Sequence, residues 1–399
     1  MTTLPVTAPV LDGDPFSRAV LADPIPFDTL VRETGPVVWL SRYGVWAVGR
    51  HALVEQVFKD HETYISSAGT GLTNIKHEAT WRRPSVILDQ DPPEHTRARA
   101  VMTKALSPQV MRKLRVQFAA TADDLVDELL ARGTFDAAVD LAERFPLTVL
   151  PDAVGLAPEG REHLLPYSDV NFQSMGPRNE LWQEAVDRAG DAADYVAWQM
   201  RREALSDDGI GAGLYGAADA GEITHEEAGL LVRTFLSAGI DTTVFAIGFA
   251  LDSLMRHPDQ WALLRERPAL AKHAFEETLR HRPPSPIIGR TTAVATELAG
   301  VELQADQKVL LFLAAANRDP DRWEDPDRFD ITRRTSGHMA LGTGIHACVG
   351  QLVARLEAEC VLSAVARKVA GLEPAGEPEI KYSNWLRGYT SLPVSVTPA

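Results

Sequence analysis

The chain has 399 residues, of which 45% are hydrophobic and 24% are charged, a composition typical of a globular protein rather than a disordered or fibrous one. Its 40 Lys and Arg and 55 Asp and Glu residues give a formal charge of −15, which argues against nucleic acid or an anionic membrane as a partner. The two cysteines, Cys348 and Cys360, exclude a disulfide framework and a cysteine-rich zinc site. No signal-peptide pattern opens the sequence and every long apolar run carries charges, so we expect a cytoplasmic protein without a membrane anchor.

The first predicted element is a hairpin of two short strands over residues 37–40 and 45–48. From about residue 94 to residue 282, helical periodicity dominates and is interrupted by Pro and Gly clusters. No repeat, low-complexity tract or Gly/Ser linker divides the sequence. We therefore expect a single domain over residues 1–399, mainly helical with a minor β region.

The strongest helical signal begins at residues 224–227, Thr-His-Glu-Glu, which fit a capping box that satisfies the free amides of a first turn. The apolar run behind it predicts one helix over residues 228–257, about 45 Å long and therefore central in the protein. The pattern next predicts a helix over 269–280 and strands over 297–303 and 308–313.

An irregular stretch over residues 317–344 leads into the most informative segment, residues 338–357, which read HMALGTGIHACVGQLVARLE. Long irregular stretches inside a domain are usually functional. Glycines permit a tight loop and the close approach of backbone to a flat ligand. A cysteine at the start of a helix lies among free amides, which we expect to lower the pKa of its thiol. The residues concerned are Gly342, Gly344, Cys348 and Gly350.

A lone thiolate of this kind serves either as a nucleophile or as one axial metal ligand. His346 lies two residues before Cys348, so a Cys–His hydrolase stays open on this segment, as does an inert buried cysteine beside a glycine turn. Cys360 lies among apolar residues of the following helix and is interpreted as a core residue.

The segment resembles the haem-binding loop of cytochromes P-450, Phe-Gly-x-Gly-x-His-x-Cys-x-Gly, and departs from it at Leu341, where the family usually has Phe. The resemblance implies the cytochrome P-450 fold, a triangular prism of helices with a minor β region. It also implies a haem b whose iron is bound by the thiolate of Cys348, a bond that favours O–O cleavage. The matching positions are Gly342, Gly344, His346, Cys348 and Gly350.

A second motif, Ala-Gly-Ile-Asp-Thr-Thr, lies at residues 238–243 inside the predicted long helix. An acid and two hydroxyls are poor choices for an apolar helix interior, and a Thr there tends to bond back to a carbonyl and to bend or open the helix. The motif could be only a capping or solvated pair. By resemblance, Asp241 and Thr242 are the acid–alcohol pair that supplies protons during oxygen activation, which indicates a monooxygenase rather than a peroxide-using relative.

Glu277 and Arg280 match the family's Glu-x-x-Arg, and their spacing of three puts both charges on one helix face. Without the resemblance, the pair would be interpreted as an exposed ion pair contributing about 0.3–0.5 kcal/mol. The resemblance implies a buried, structural pair joined by an arginine of the later meander, here predicted to be Arg328.

His95 and Arg99 are four residues apart and therefore lie on one helical face. By resemblance they bind the haem propionates together with Arg290 and His346, and Arg suits a planar carboxylate through paired hydrogen bonds. Each of these basic residues taken alone would be interpreted as a solvated surface residue.

A cationic island is predicted over residues 97–122, which contain no acidic residue. It is either a solvated helix face or a docking site for an acidic electron carrier. For a bacterial relative, the resemblance implies electrons from NAD(P)H through a ferredoxin reductase and a ferredoxin. Its basic residues are Arg97, Arg99, Lys104, Arg112, Lys113 and Arg115.

Residues 81–88, 158–167 and 231–234 are similar to the bacterial subgroup that hydroxylates or O-demethylates para-substituted benzoates such as 4-methoxybenzoate. An apolar pocket that holds an aromatic acid needs a few donors at its far end, because an unpaired carboxylate there costs several kcal/mol. By resemblance, the residues that bind the carboxylate are Arg82, Ser85, Arg233 and Thr234. The same comparison assigns the remaining pocket wall to Leu88, Phe172, Met175, Ala238, Ser285 and Ile288.

Three wall positions depart from this subgroup, since Met175, Ser285 and Ile288 stand where Phe, an aliphatic residue and Phe are expected. Fewer rings predict a roomier wall, which a bulkier or meta-substituted benzoate would fit.

The resemblance thus predicts a monooxygenase that uses O₂ and ferredoxin-delivered electrons to hydroxylate or O-demethylate a small aromatic acid. A methoxy group so oxidised gives a hemiacetal, which collapses to a phenol and formaldehyde. The alternatives are the same chemistry on a terpenoid or polyketide, a haem-binding sensor or carrier, and a haem-free cysteine hydrolase.

Overall fold

The computed structural model describes residues 8–399, which form a mainly helical protein with small sheets. The helices are α1 (Arg18–Ala22), α2 (Ile25–Thr34), α3 (His51–Lys59), α4 (Glu94–Ala105), α5 (Pro108–Arg132), α6 (Arg144–Val154), α7 (Leu164–Gln173), α8 (Glu180–Ala189), α9 (Ala192–Gln199), α10 (Ile210–Asp219), α11 (His225–Ala238), α12 (Asp241–Arg256), α13 (Pro258–Glu266), α14 (Ala271–His281), α15 (Leu313–Ala316) and α16 (Gln351–Lys368). The predicted helix over 269–280 is confirmed as α14, within two residues at each end.

The strands are β1 (Val10–Leu11), β2 (Val38–Leu40), β3 (Val45–Val48), β4 (Tyr64–Ile65), β5 (Thr134–Asp136), β6 (Ile287–Thr292), β7 (Thr296–Leu298), β8 (Val301–Leu303), β9 (Lys308–Phe312), β10 (Val369–Pro374), β11 (Glu379–Ile380), β12 (Tyr389–Ser391) and β13 (Pro393–Pro398). The largest sheet has the order β1-β2-β3-β9-β6-β4. The predicted hairpin is confirmed as β2 and β3, with Trp39 opposite Trp46. The strand predicted over 297–303 is two strands, because Ala299 and Gly300 adopt positive φ and turn the chain between β7 and β8.

The helix predicted over 228–257 is instead two helices, α11 and α12, interrupted at Gly239 and Ile240. Its capping box is confirmed, with Thr224 and Glu227 each bonding the other's backbone. By length and composition the run His225–Arg256 could cross a membrane, but 72% of its most apolar window is buried inside the protein. The run thus lies in the interior, as its apolar character predicts.

The Glu277–Arg280 pair is fully buried, with Nε of Arg280 2.7 Å from Oε2 of Glu277. The third member is Arg333, whose Nε lies 3.2 Å from Oε1 of Glu277, so the prediction of Arg328 is wrong. Arg328 points outward, and only its carbonyl takes part, accepting from Arg280. The backbone amide of Asp330 also donates to Glu277, so the meander turns Arg333 rather than Arg328 inward. A buried pair needs such added hydrogen bonds to offset its desolvation.

Candidate active site

One internal cavity of about 270 Å³ lies between the segment that precedes α4, the helices α7, α11 and α12, the start of β6 and the loop before α16. Thr242 and Cys348 line it, as do three of the predicted propionate-binding residues, His95, Arg99 and His346. The fourth, Arg290, is buried over the ring of Phe58, which also lines the cavity. All the residues predicted for the substrate line the same cavity: Arg82, Ser85, Leu88, Phe172, Met175, Arg233, Thr234, Ala238, Ser285 and Ile288.

The loop that presents Cys348 depends on two glycines with positive φ, Gly342 at 65° and Gly344 at 73°. A Cβ on Gly344 would lie 2.8 Å from the carbonyl oxygen of Phe58, so a side chain is excluded there for space as well as for conformation. The amide of Cys348 donates to the carbonyl of Leu341 at 2.8 Å and closes the loop. The sequence Gly-x-Gly is thus required for the thiol to reach the cavity.

The expected lowering of the Cys348 pKa is wrong, because burial raises the pKa of this thiol. The amides of Gly350 and Gln351 and the charge of Arg99 act in the expected direction but are outweighed. His346 packs against His95 with ring centroids 4.2 Å apart. Within residues 8–399 no hydrogen bond joins His346 to Cys348, which argues against a Cys–His hydrolase.

The four basic side chains around the thiol differ in their hydrogen bonds. Arg99 donates to the carbonyl of Ala347, whereas the other three have nitrogen atoms without a partner in the described residues. Both ring nitrogens of His95 and Nε2 of His346 are buried without a hydrogen-bond partner in the described part of the chain. Burial lowers the pKa of His95 to about 4 and that of Arg290 to about 10. The guanidinium of Arg290 donates only to the neighbouring carbonyl of Gly289. A flat cofactor with two carboxylates and an iron atom opposite the thiol fits this donor set, because it supplies the missing acceptors.

The interruption between α11 and α12 is held by two hydroxyls. Thr242 Oγ1 donates to the carbonyl of Ala238 at 3.0 Å, and Thr243 Oγ1 to that of Gly239 at 3.3 Å. The amide of Thr243 bonds only three residues back, to Ile240, which tightens the turn. This opening, predicted from the threonines, is confirmed, and it leaves Thr242 facing the cavity.

Asp241 is buried and is not among the residues that line the cavity, and one of its carboxyl oxygens has no partner in the described residues. Burial, and next the charge of Asp169, raise the pKa of Asp241 to about 8 against smaller effects of Lys381 and Ser168. Asp169 in turn accepts from Lys381 at 2.9 Å and from the half-exposed Arg188 at 3.0 Å. The sequence alone did not reveal this chain of charges from the surface to Asp241, because its members are far apart along the chain.

Arg82 lines the cavity but is not a free cation. It forms a two-point ion pair with the buried Asp89, at 2.7 and 2.8 Å. Asp89 also accepts from the amides of Ser85 and Thr70, so it organises the whole segment. The hydroxyl oxygen of Ser85 accepts from the amides of Ile87 and Leu88, and its own hydrogen is available to a ligand.

Arg233, unlike Arg82, has no carboxylate partner in the described residues. It is 6% exposed, and its guanidinium donates only to the carbonyls of Arg83 and Pro84, at 2.9 and 3.0 Å. Burial lowers its pKa, and within residues 8–399 no carboxylate pairs with it. Thr234, the next residue, donates to the carbonyl of Leu230. A buried cation on a cavity wall without a counter-ion attracts an anion.

The sequence did not predict several residues that line the cavity. They carried no signal that separates them from the core, and they include Phe58, Ile87, Asn171, Ser237, Ala246 and Trp385.

A buried acid of α16, Glu357, was also not predicted. It has no hydrogen-bond partner in the described chain, and burial raises its pKa to about 8 against a small effect of Thr243. An acid on the apolar side of a helix was the available signal.

Four of the six basic side chains of the predicted cationic island form ion pairs with acids that lie elsewhere in the sequence, which favours the solvated helix face of the two interpretations. The docking site for an electron carrier stays a prediction. The ion pairs are Arg97 with Glu227, Lys104 with Glu222, Lys113 with Asp208, and Arg115 with Glu359.

A thiol above a cluster of basic donors, with an opened helix facing it, is the arrangement of a haem-thiolate oxygenase. A sequence model of the family "Cytochrome P450" matches residues 161–390. The chain belongs to the cytochrome P450 family, as the Cys348 loop predicted. It is therefore a monooxygenase whose cofactor is a haem iron with a thiolate ligand.

Among curated relatives, the chain is 52% identical to cytochrome P450 CYP199A2 of Rhodopseudomonas palustris, over 99% of this chain and 98% of that one. It is 34% identical to erythromycin C-12 hydroxylase of Saccharopolyspora erythraea, over 86% of each chain. Among solved structures, cytochrome P450 CREJ in complex with (4-ethylphenyl) dihydrogen phosphate has a TM-score of 0.87 at 28% identity, over 96% of this chain and 99% of that one. These matches confirm the predicted fold.

Proposed function

We propose that the protein hydroxylates or oxidatively O-demethylates a small aromatic acid such as 4-methoxybenzoate, with electrons delivered from NAD(P)H by a ferredoxin reductase and a ferredoxin. The observation that carries this proposal is Arg233, a buried guanidinium on the cavity wall without a carboxylate partner in residues 8–399. A substrate carboxylate would complete it, with Ser85 as a second donor and Thr234 beside Arg233 on the cavity wall. Because Asp89 neutralises Arg82, the wall has one free charge, which suits a monoanion.

The lining of the cavity supports a small aromatic acid as substrate. It is mostly apolar and carries few donors, among them Arg233 and Ser85, which is the arrangement expected for an apolar ring with one anionic group.

Cys348 would bind the haem iron, and His95, Arg99, Arg290 and His346 would hold the propionates. When bound, the haem supplies the activation of O₂ and the transfer of one oxygen atom to a C–H bond. Arg233 at one end of the cavity would hold the substrate so that its far substituent meets that chemistry.

Asp241 and Thr242 would move protons. The carboxyl of Asp241 is protonated at neutral pH, since its pKa is about 8, and can donate. The hydroxyl of Thr242 faces the cavity one residue later. Asp169, with Lys381 and Arg188, would connect Asp241 to solvent.

The test is a titration of the purified ferric holoenzyme with 4-methoxybenzoate and with its neutral analogue 4-methoxybenzamide, followed by the Soret band. We expect the acid to move the band toward its high-spin position and to bind about 100-fold more tightly than the amide. Arg233→Met should reduce this preference and Arg233→Lys should retain part of it, with the exposed Arg178→Met as a matched control.

Equal binding of the acid and the amide would contradict the role of Arg233. A Soret band that no benzoate moves would contradict the substrate class. A para-alkylphenyl phosphate, the kind of ligand in the CREJ complex, is a further probe. Tighter binding of this dianion than of the benzoate would indicate an aryl phosphate, rather than an aryl carboxylate, as the substrate.

A further inference from the structure

A largely buried ion pair joins α14 to the helix that follows Cys348. The carboxylate of Glu276 on α14 accepts two bonds from the guanidinium of Arg355 on α16, one from Nε and one from Nη2 at 3.2 Å. Only 14% of the Glu276 side chain and 23% of the Arg355 side chain are exposed. Within residues 8–399 the one carboxylate paired with Arg355 is that of Glu276.

The same carboxylate also holds the start of the Cys348 loop. Nε2 of His338 lies 2.9 Å from Oε2 of Glu276. The amide of Ala340 donates to Nδ1 of His338 at 3.3 Å, so the ring hydrogen is on Nε2 and His338 binds as a neutral donor. Burial raises the pKa of Glu276, but the bonds from His338 and Arg355 outweigh it and lower the pKa to about 2. The cluster therefore holds one negative and one positive charge at neutral pH.

The positive charge of this cluster acts on Cys348. Arg355 lies in the second turn of α16, and its Nη1 donates to the side-chain oxygen of Gln351 in the first turn at 2.6 Å. Burial raises the pKa of the Cys348 thiol, and the backbone amide of Gln351 and the charge of Arg355 are among the effects that lower it. Arg355 therefore stabilises negative charge on the sulfur, and Glu276 offsets part of this effect.

We propose that Glu276 and Arg355 together set the reduction potential of the haem iron, with Arg355 raising it and Glu276 lowering it. The equilibrium concerned is the uptake of one electron by the ferric haem from a reduced dye, without a proton. A nearby positive charge favours the added electron and a negative charge opposes it, more strongly where water is excluded. Both are positioning residues that act through the Cys348 loop, so the proposal does not depend on the substrate.

The experiment measures the reduction potential of the substrate-free holoenzyme by dye-mediated titration in Glu276→Gln, Arg355→Gln and the double variant. Glu276→Gln keeps an acceptor oxygen for Arg355 and His338 but removes the negative charge. The equilibrium constant for reduction should therefore rise about tenfold, a shift of about 59 mV for one electron. Arg355→Gln should lower it by a similar factor. The double variant has the net charge of the wild type and should have a similar potential.

The controls separate an effect of charge from damage to the Cys348 loop. In each variant the ferrous carbon monoxide complex should keep the absorption band of a thiolate ligand, and the ferric Soret band should not move. Glu128→Gln removes an equal charge from the exposed pair with Arg144 and should leave the potential unchanged, because water screens that charge. Arg355→Lys, which keeps the positive charge, should stay closer to the wild type than Arg355→Gln.

The direction of the two shifts decides the proposal. Shifts of Glu276→Gln and Arg355→Gln in the same direction would overturn it, since damage to the loop would then explain both. A potential that neither substitution moves would also overturn it. If Arg355→Gln loses the thiolate band, a higher potential in Glu276→Gln supports the proposal, and a lower or unchanged one overturns it. Loss of the band in both variants would show a purely structural role.

Discussion

Asp241 is a buried acid whose carboxyl has a different pKa in the folded and in the unfolded chain. Its pKa is about 8 in the folded protein, because burial and Asp169 both oppose ionisation. In the unfolded chain the carboxyl titrates near its ordinary value of about 3.9. Between these two values the folded state keeps a proton that the unfolded state has released, so the contribution of Asp241 to the free energy of unfolding falls as pH rises.

Asp241→Asn should therefore become more stable relative to the wild type as the pH is raised from about 5 to about 8, by about 1 kcal/mol per pH unit. The measurement is the thermal unfolding midpoint of both holoenzymes at several pH values. Asp169→Asn removes the second cause of the raised pKa of Asp241. In that variant the loss of stability with rising pH should therefore end at a lower pH than in the wild type. A stability difference between Asp241→Asn and the wild type that does not change with pH would contradict a carboxyl that is protonated in the folded state.

The opened turn between α11 and α12 has some features that the sequence predicts and some that it does not. The capping box at Thr224 and the threonines at 242 and 243 are local signals, and each predicted the structure it forms. The threonines predicted a bend or opening inside one helix, whereas the full separation into two helices was not predicted, because helical periodicity continues through Gly239 and Ile240. The sequence pattern also did not predict which distant residues pair: Arg333, rather than the predicted Arg328, forms the ion pair with Glu277.

The same turn leads to a prediction for Thr242. Thr242→Ala removes the hydroxyl that faces the cavity and should divert electrons from product to hydrogen peroxide, while Thr242→Ser, which keeps the hydroxyl, should not. Thr243→Ala is the matched control, because it removes the adjacent hydroxyl that bonds the carbonyl of Gly239. Product and peroxide formed per NADH are the measured quantities. Unchanged product per NADH in Thr242→Ala, or equal loss in Thr243→Ala, would contradict a specific role.

At the scale of the whole molecule, the sequence predicted the composition of the site better than its charge. The motifs that match the family correctly predicted that Cys348 and the substrate wall line one cavity. The run of basic residues did not predict the surface charge, because the acids that pair with Lys104 and Arg115 lie 118 and 244 residues away along the chain. Local sequence contains no information on such partners. The pairing of Arg82 with Asp89 was not predicted either, although only seven residues separate them, because a loop rather than a regular element brings them together.

The ion pairs on this surface change what is expected of the proposed ferredoxin. With four of its six cations paired, the surface of residues 97–122 offers weaker electrostatic steering, and an apolar contact is expected to contribute as well. Leu352 is 52% exposed on the first turn of α16, four residues after Cys348, and so lies on the face nearest the haem ligand loop. Leu352→Asp should therefore lower the ferredoxin-dependent turnover rate by about tenfold, whereas Leu352→Met should retain it.

Turnover with a bacterial ferredoxin and its reductase is the assay, run at low and at about 0.3 M salt, where charges separated by more than a Debye length are screened. Reduction of the haem by dithionite is the control, and it should be equal in the wild type and Leu352→Asp because it needs no protein partner. A wild-type rate that falls about tenfold or more with salt would show that steering by charge persists. A Leu352→Asp rate equal to that of the wild type would exclude this face as the contact.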